Sequence, residues 1–385
     1  MKNIGKAIEL AAPGDTIQIE KGIYKEWDIK LDKPLTIIGK NNPVIDVNNK
    51  GYGLIFGADS ITVIGLTIRN IGQSYTKDYA AIHLHKNKNF IISNCVLENV
   101  FFGILCEKSN NGLIEKNTVS SNAVREASSG NGVHLWHSNN VTIRNNELHH
   151  LRDGIYFEFA TDCSIENNYS HNNLRYGLHF MFSHGNLYKE NVFTQNGAGV
   201  AVMFSKEITM LNNKFLDNMG AASYGLLLKE INDSKIEANL FNKNTIGIFI
   251  EGSNRVEYRK NIFSENGWAI KVAGACYSNS FLNNDFLNNS FDVSYNSQVN
   301  DNRFNHNYWS EYSGYDLNND GLGDVAYRPV KLFSYVVNNT PETIILLRSL
   351  FVMILNFSEK ITPIFTPDNL VDEHPQMIKN CDSNS

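Results

Sequence analysis

Two consecutive stretches decide the fold: residues 151–173 read LRDGIYFEFATDCSIENNYSHNN and residues 174–196 read LRYGLHFMFSHGNLYKENVFTQN. In each stretch a Gly leads an alternating apolar triplet, and an Asn follows further along. This Asn recurs down the chain, mostly every 22 or 23 residues, at Asn117, Asn146, Asn168, Asn191, Asn213, Asn239, Asn261, Asn284 and Asn302. The longer gaps fall around residues 125–129 and 221–223. A repeat of this period predicts a stack of similar structural units.

The composition of the repeat selects the kind of stack. Short β-favouring segments separated by Asn and Gly do not fit a helical solenoid, and 54 of the 385 residues are Asn, a poor helix former. The sequence therefore predicts an all-β fold, a right-handed parallel β-helix of the pectin-lyase-like kind, with about twelve turns roughly 4.8 Å apart. Asn side chains are expected to pair along the stack. The residues expected to stack inside are Phe193, Phe215, Phe241, Phe263, Phe286 and Phe304.

A change in composition suggests where the repeat ends. We expect the β-helix to occupy residues 1–330 and a C-terminal tail to occupy residues 331–385. The apolar run at residues 343–357 is shorter than the roughly 18 to 20 residues that a membrane-spanning helix needs. It predicts a docking helix near residues 341–357 that packs on a partner, on the end of the coil, or on both. From Asp372 onward the chain is expected to be loose.

Charge and cysteine content exclude several classes of protein. The net charge is −6, whereas proteins that bind nucleic acids or anionic membranes usually have a basic surface. The charge therefore argues against both kinds of partner. The five Cys show no C-x-x-C spacing, so neither a disulfide framework nor a zinc ribbon is predicted. We expect them to be small buried side chains. Residues 1–10 have no apolar core and no cleavage pattern, so the protein is either cytoplasmic or begins after a removed export signal.

The outward side chains of the Gly-led strands carry the most chemistry. His179 and Met181 stand two positions apart on one strand, and Met203 is expected directly over Met181 one turn away. An imidazole with two thioethers is a soft ligand set that suits Cu(I). His134, two turns below, is the next candidate ligand, and His83 with His85 could form a relay or a second site. The alternative is an apolar face that simply receives the tail or a protein partner.

The same face suits a competing hypothesis, a polysaccharide lyase, hydrolase or C5-epimerase acting on an acidic glycan. The residues that could supply an acid, a base and charge neutralisation are Tyr156, Glu158, His134, Asp153, Arg152 and Arg175. Hydrolysis needs two carboxylates facing one bond. Glu107 and Glu158 are two turns apart, with Trp136 between them. The two arginines share a column at the edge of the face, where they form either an anion clamp or solvated turn residues.

A last motif lies at residues 316–324. Asp316, Asn318, Asp320 and Asp324 place side-chain oxygens as in the first part of a calcium loop. Position twelve of such a loop carries a Glu, whereas Tyr327 stands here. The motif predicts either a structural calcium site or a turn held by Asx hydrogen bonds.

Several segments together resemble the NosD-type proteins that process copper for the maturation of nitrous oxide reductase. The resembling segments are residues 12–17, 175–184, 200–205, 307–309, 314–329 and 346–349. The segments with His179, Met181 and Met203 are the more specific, whereas many carbohydrate-active β-helices share the opening and the Asn repeat.

The resemblance implies a periplasmic protein that supplies copper as a carrier or scaffold and catalyses no reaction itself. Its partners would be a membrane ABC transporter, with permease and ATPase, a copper-chaperone lipoprotein and nitrous oxide reductase. Copper would be bound transiently as Cu(I). A periplasmic location would require that an export signal precede the first residue here.

Overall fold

The computed structural model describes residues 3–74, 76–296, 301–347, 349–361 and 370–380. The chain divides into two compact units, Met1–Ala201 and Val202–Ser385. Each unit is a parallel β-helix in which every turn adds one short strand to each of three sheets. The units together contain about 13 turns, close to the roughly twelve expected, and the predicted fold class is confirmed.

The first unit contains sheets A, B and C, in which neighbouring strands pair in parallel. Sheet A consists of Thr16–Ile19, Thr36–Gly39, Thr62–Ile64, Ile91–Ser93, Asn110–Glu115, Asn139–Arg144, Ser164–Glu166 and Leu187–Lys189. Sheet B consists of Ile23–Tyr24, Val44–Asp46, Thr67–Arg69, Val96–Glu98, Thr118–Ser120, Glu147–His149, Tyr169–His171 and Val192–Thr194. Sheet C consists of Ile29–Leu31, Leu54–Phe56, Ala80–His85, Phe102–Glu107, Asn131–Trp136, Asp153–Glu158 and Tyr176–Met181. The strand Ala198–Met203 contains the boundary between the units.

The second unit repeats the arrangement with sheets A′, B′ and C′. Sheet A′ consists of Thr209–Leu211, Asn232–Glu237, Asn254–Arg259, Ser280–Leu282 and Arg303–Asn305. Sheet B′ consists of Lys214–Leu216, Leu240–Asn242, Ile262–Ser264, Asp285–Leu287 and Tyr308–Trp309. Sheet C′ consists of Leu226–Lys229, Ile246–Glu251, Trp268–Ala273 and Phe291–Asn296.

Buried Asn side chains hold successive turns in register, as the repeat predicted. In the first unit the Asn117 backbone N–H donates to the Asn146 Oδ1 at 2.9 Å, and the Asn146 N–H donates to the Asn168 Oδ1 at 3.0 Å. The Asn117 Nδ2 also donates to the Ile92 carbonyl oxygen at 3.0 Å. Cys95 occupies the preceding position of this column, and its N–H donates to the Asn117 Oδ1 at 2.9 Å. Each buried side-chain amide therefore hydrogen-bonds to backbone groups that would otherwise be buried without a partner.

The second unit corrects the sequence assignment of Asn302. The Asn column there continues from Asn284 to Asn307, whose Oδ1 accepts the Asn284 N–H at 2.9 Å, and not to Asn302. Asn302 belongs to a neighbouring column, where its Oδ1 accepts the Asn279 N–H at 3.0 Å. A separation of 23 residues from Asn284 to Asn307 fits the repeat, so spacing distinguishes the two candidates.

Aromatic rings stack inside the second unit, as predicted for the Phe column. Rings of Phe215, Phe241, Phe263 and Phe286 follow one another with centroids 4.6, 5.0 and 5.0 Å apart. Trp309 ends this stack, 4.0 Å from Phe286. Phe304 was assigned to this column incorrectly. It stacks on Phe281 at 4.5 Å in a second interior column.

The cysteines within the described residues are buried free thiols. Burial raises the pKa of the Cys95 thiol to about 11 and that of Cys163 to about 12. Cys106 pairs in register with Leu84 and Leu135, which face the interior. Raised pKa values leave these thiols protonated and unreactive, consistent with the structural role expected from the sequence.

A short helix, α1 (Ile4–Leu10), covers the first turn and was not predicted. Ile4 and Ile8 are buried one helical turn apart. The Glu26 carboxylate accepts the backbone N–H groups of Ile4 and Gly5 at 2.8 and 3.0 Å. The Asn3 side chain caps the same helix end. The Asn cap before two isoleucines four positions apart is the sequence signal for this helix.

The tail of the second unit contains helices, but not the single helix predicted near residues 341–357. It has α2 (Leu332–Asn339), a 3₁₀ segment (Pro341–Leu346) and α3 (Leu350–Ile361). Thr340 leaves the helical region with φ −137° and ψ 82°, because the residue before a proline avoids the α conformation. Among the described residues, no helix has both the length and the apolar character needed to traverse a membrane.

Both helices pack on the coil. Phe333 and Val337 of α2 and Val352 of α3 are buried against Trp268 and Phe291 of sheet C′. The docking-helix prediction allowed packing on the coil, on a partner, or on both, and these contacts account for the buried side of the helices.

Residues 370–380 return to the last turn, so the prediction of a loose end from Asp372 is wrong for them. Asp372 is fully buried, and its Oδ2 accepts the Asn307 N–H, the Asn307 Nδ2 and the Trp309 Nε1, each at 3.0 Å. Asp372 thus takes the place that the next turn's Asn would fill. Its backbone also bonds to Tyr327 in both directions, at 2.9 Å.

We predict that Asp372→Ala destabilises the second unit by about 2–4 kcal/mol, because three buried donors lose their acceptor. Asp372→Asn should cost at most about 1 kcal/mol. The amide oxygen can replace Oδ2, and only the 3.3 Å bond from the His374 N–H to Oδ1 is lost. Urea unfolding of the three proteins measures both changes. Equal stability of Asp372→Ala and wild type would contradict the capping role.

Candidate functional site

The outward face, defined as the outward side chains of sheet C in the first unit, forms two columns with one residue per turn. The first column contains His83, Leu105, His134, Tyr156 and His179. The second contains His85, Glu107, Trp136, Glu158 and Met181. Strand register thus places these residues as the alternation of the sequence predicted.

Close stacking of the turns fixes the direction of these side chains. A Cβ added at Gly132 would lie 2.5 Å from the Gly154 carbonyl oxygen, and one added at Gly154 would lie 2.6 Å from that of Gly177. Only Gly permits this approach of one turn to the next. The residues that alternate with the outward ones, Ile155 and Phe157, are fully buried in the interior. A slip by one residue would reverse the two sets.

His179 is the most unusual side chain of the outward face. Only 5% of the residue is exposed, and neither ring nitrogen has a hydrogen-bond partner within the described residues. Rings of Tyr156 and Tyr176 lie against it, with centroids 5.0 and 4.8 Å away. Burial, followed by the charges of Arg175 and Arg152, lowers the pKa of His179 to about 4. The imidazole is therefore neutral at pH 7. One of its ring nitrogens then has a lone pair that can coordinate a metal cation.

Met181 lies two positions beyond His179 on the strand Tyr176–Met181 and is half-buried. It pairs in register with Glu158. The imidazole and the thioether therefore project from the same face of one strand, about 6–7 Å apart at their Cα atoms. This arrangement brings together two of the predicted copper ligands.

His134 is separated from this pair. Its ring lies 4.7 Å from that of Tyr156, which stands on the strand between His134 and His179. The His134 Nδ1 is 3.2 Å from the Asn131 Nδ2. Burial, with a contribution from Arg152, lowers the His134 pKa to about 3. With Tyr156 between them, His134 and His179 do not face one common ion.

The predicted ligand Met203 is the last residue of the strand Ala198–Met203 and belongs to the second unit, where it is half-buried. Its placement over Met181 stays a prediction from the sequence repeat.

The arginines at the edge of the face are partly exposed, and each contacts a neighbouring side chain. Asp153 is fully buried; its Oδ2 lies 3.4 Å from the Arg152 Nε, and its Oδ1 accepts the Tyr176 N–H at 3.3 Å. Arg152 also donates to the Asn131 Oδ1 at 3.1 Å. Arg175 lies over the Tyr176 ring, 4.7 Å from its centroid. Burial raises the Asp153 pKa although both arginines oppose it. Sequence reasoning missed that the charges of both arginines act on His179 and help to lower its pKa.

The carboxylates of the glycan hypothesis are two turns apart on the outward face. Register places Trp136 between Glu107 and Glu158. The Glu107 Oε2 is already 2.7 Å from the His83 Nε2. This arrangement disfavours Glu107 and Glu158 as the opposed carboxylate pair that ordinary glycoside hydrolysis uses.

The candidate calcium loop of the second unit directs its oxygens at its own backbone. Asp316 accepts the Asp320 and Gly321 N–H groups at 3.2 and 2.9 Å. Asp324 accepts the Leu317 N–H at 2.7 Å, and the Asn318 Oδ1 accepts the Asp320 N–H at 3.1 Å. These are the hydrogen bonds of a turn held by Asx side chains, the alternative to a calcium site that the sequence left open. Throughout the described parts of the chain, no three or more His, Cys, Asp or Glu side chains form a ready-made metal cage.

The protein is, by its fold, a parallel β-helix of the pectin-lyase-like class. A family 28 exopolygalacturonase of Yersinia enterocolitica matches with a TM-score of 0.60 and 14% identity, covering 78% of this chain and 74% of the enzyme. The Streptococcus pneumoniae surface adhesin PfbA matches with a TM-score of 0.57 and 15% identity over 78% of this chain and 94% of the adhesin. At such identities the likeness shows the fold alone.

Sequence comparison identifies the family. The model of the family described as periplasmic copper-binding protein (NosD) matches residues 120–314, just over half of the chain. The chain belongs to this family. A probable ABC transporter binding protein NosD of Pseudomonas aeruginosa is 28% identical, covering 97% of this chain and 93% of the relative. The corresponding protein of Stutzerimonas stutzeri is 27% identical over 90% of this chain and 83% of its own length.

We predict that His179 stays neutral from pH 7 to about pH 5, since its pKa is lowered to about 4. Unfolded His protonates near pH 6.5, so the unfolded state binds more protons below that pH. The free energy of unfolding should therefore fall as the pH decreases from about 6.5 towards 4, with no contribution above pH 7.

The Cε1 proton resonance of His179 should keep its chemical shift between pH 7 and 5 in folded protein and titrate in urea. A midpoint near the ordinary value in the folded protein would show that the ring is exposed to water. His179→Phe should reduce the dependence of stability on pH.

Proposed function

We propose that this protein is a periplasmic maturation factor that carries Cu(I) on its outward face and helps to deliver it to nitrous oxide reductase. Its partners in this role are an ABC transporter, with permease and ATPase, and a copper-chaperone lipoprotein. It binds and releases the metal without catalysing a reaction. Membership of the copper-binding family and the transporter-binding names of its relatives support this role.

One observation carries the assignment of the site: a buried imidazole with both ring nitrogens unpaired within the described residues. A buried polar group without a partner costs free energy, so its retention points to a ligand that completes it. The nearest side chains on the same face favour a soft cation. Met181 offers a thioether, and Tyr156 and Tyr176 exclude water beside the ring.

The exposure of the site suits a carrier. His179 is nearly inaccessible, whereas Met181 is half-buried and can be reached from solvent. A cation held by one imidazole and one or two thioethers, with Met203 as the second, stays open on one side. Such a site has modest affinity and can transfer its metal to a partner. Low proton affinity of His179 favours copper binding even in mildly acidic medium, since protons compete weakly.

We predict that the double variant Met181→Leu with Met203→Leu folds as wild type but loses most Cu(I) binding. Leu keeps the volume and the apolar character of Met while removing the sulfur ligand. Met219→Leu is the matched control, because Met219 is 64% exposed and not part of the outward face. Anaerobic titration against a chromophoric Cu(I) chelator measures the affinities.

Equal Cu(I) affinity in the double variant, the control and wild type would refute the site assignment. A glycan enzyme predicts the opposite dependence. In that case the Met changes would matter little, and Glu158→Gln or Tyr156→Phe would abolish turnover of a polyuronate.

The exposed side of the tail supplies a second contact surface in this role. The tail patch, as defined here, consists of Ile345, Leu350, Phe351, Met353, Ile354 and Phe357. These side chains are 56 to 87% exposed. So many exposed large apolar side chains on one short segment are typical of an interaction site. The opposite side of the helices is already buried on the coil, so this patch is the side left for a partner. We propose that the partner is the membrane transporter, as the transporter-binding names of the relatives suggest.

We predict that Phe351→Ser with Phe357→Ser weakens binding to the transporter in detergent while leaving the fold intact, since both side chains are exposed. Val352→Ala is the contrasting variant. Val352 is 3% exposed, so its truncation should lower the thermal unfolding temperature instead. These substitutions are sharper than deletion of the tail, which would also remove Asp372. Unchanged transporter binding by the double variant would count against the docking role.

A further inference from the structure

A second cluster of ligand-type side chains lies on the outward face, on strands well before that of His179. The strand Ala80–His85 supplies His83 and His85, and the neighbouring strand Phe102–Glu107 supplies Glu107. The Glu107 Oε2 is 2.7 Å from the His83 Nε2 and 3.6 Å from the His85 Nδ1. One carboxylate oxygen therefore faces a nitrogen from each imidazole.

These separations are close to those between ligands of one metal ion. Nitrogen and oxygen ligands lie about 2.0–2.2 Å from Zn²⁺. Two such ligands are then about 3.4 Å apart in a tetrahedron and about 2.9 Å apart at a right angle. Distances of 2.7 and 3.6 Å bracket these values, so small side-chain rotations would admit a cation between the three groups.

Neighbouring rings hold one side of the cluster. The His83 ring stacks on Tyr52 with centroids 5.0 Å apart and an interplanar angle of 15°. Tyr79 in turn packs edge-on against Tyr52 at 4.9 Å. The His83 side chain is 16% exposed, that of Glu107 31% and that of His85 48%. The site therefore has an inner wall of packed rings and a more exposed outer ligand, and in their present conformations the three side chains are not arranged to hold a metal ion.

We propose that His83, His85 and Glu107 bind divalent transition-metal cations of the Zn²⁺ kind. Two imidazoles and a carboxylate are borderline-to-hard ligands that suit these ions, and the absence of a thioether makes the cluster a poor match for Cu(I). This site is distinct from the Cu(I) site proposed at His179 and Met181. The outward face would then hold two metal sites of different ligand softness.

The test uses Zn²⁺ and the spectroscopic probe Co²⁺ on the full chain. Wild type should bind Co²⁺ with the intense visible bands of four- or five-coordinate nitrogen and oxygen ligation, and Zn²⁺ should displace it. Glu107→Gln and His83→Gln should each weaken Zn²⁺ binding at least about tenfold, a loss that even an outer-shell partner can cause. Glu158→Gln is the matched control, since Glu158 occupies the same outward column with Trp136 between.

The Zn²⁺ affinities of the variants are compared with one another, because another pair of histidines could also bind Zn²⁺ and add to the measured binding. The His149 and His150 Nδ1 atoms lie 2.7 Å apart near sheet B, so the titrations are repeated with His150→Gln introduced. Equal Zn²⁺ affinity in wild type, Glu107→Gln and His83→Gln would overturn the proposal and leave only a hydrogen-bonded pair of side chains. Circular dichroism confirms that each variant folds. Met181→Leu should leave Zn²⁺ binding unchanged, so failure of the Cu(I) site and failure of this site give different results.

Discussion

The hydrogen bond from one turn's backbone N–H to the buried Asn side chain of the next is the constraint on which the structure depends. Asn117, Asn146 and Asn168 repeat it with donor–acceptor distances of 2.9 to 3.0 Å. A side chain that accepts from one turn and donates to another fixes the register of both. Because each amide is buried, a slip would leave its polar groups unpaired in the interior, at a cost of about 1–3 kcal/mol each.

The fixed register aligns the outward side chains of successive turns into columns. Each turn contributes one side chain to a column, and neighbours in a column are within ring contact. His134, Tyr156 and His179 form such a series, with centroids 4.7 and 5.0 Å apart. The aromatic ring between the two imidazoles excludes water from both, which together with nearby arginine charges keeps them neutral.

The sequence predicted what local periodicity determines. Alternation along a strand and the Asn spacing placed His179 and Met181 on one face. This placement follows because the two residues are two positions apart on the same strand. Burial of His179 could not be predicted this way, because it depends on Tyr176 and on arginine side chains whose conformations the period does not fix. Asp372 could not be predicted either. It meets Asn307 across 65 residues, outside the repeat.

Separation of structural and functional residues explains how one fold carries different functions. Interior side chains and Asn columns maintain the coil, so the outward columns can vary while the stack remains intact. Solved β-helices that share this architecture include an exopolygalacturonase and an adhesin. In this chain the outward column changes from a carboxylate beside imidazole at Glu107 to a thioether at Met181. The chemical softness of the outward side chains therefore changes along the stack without altering the backbone, so one coil can carry side chains of different metal preference on successive turns.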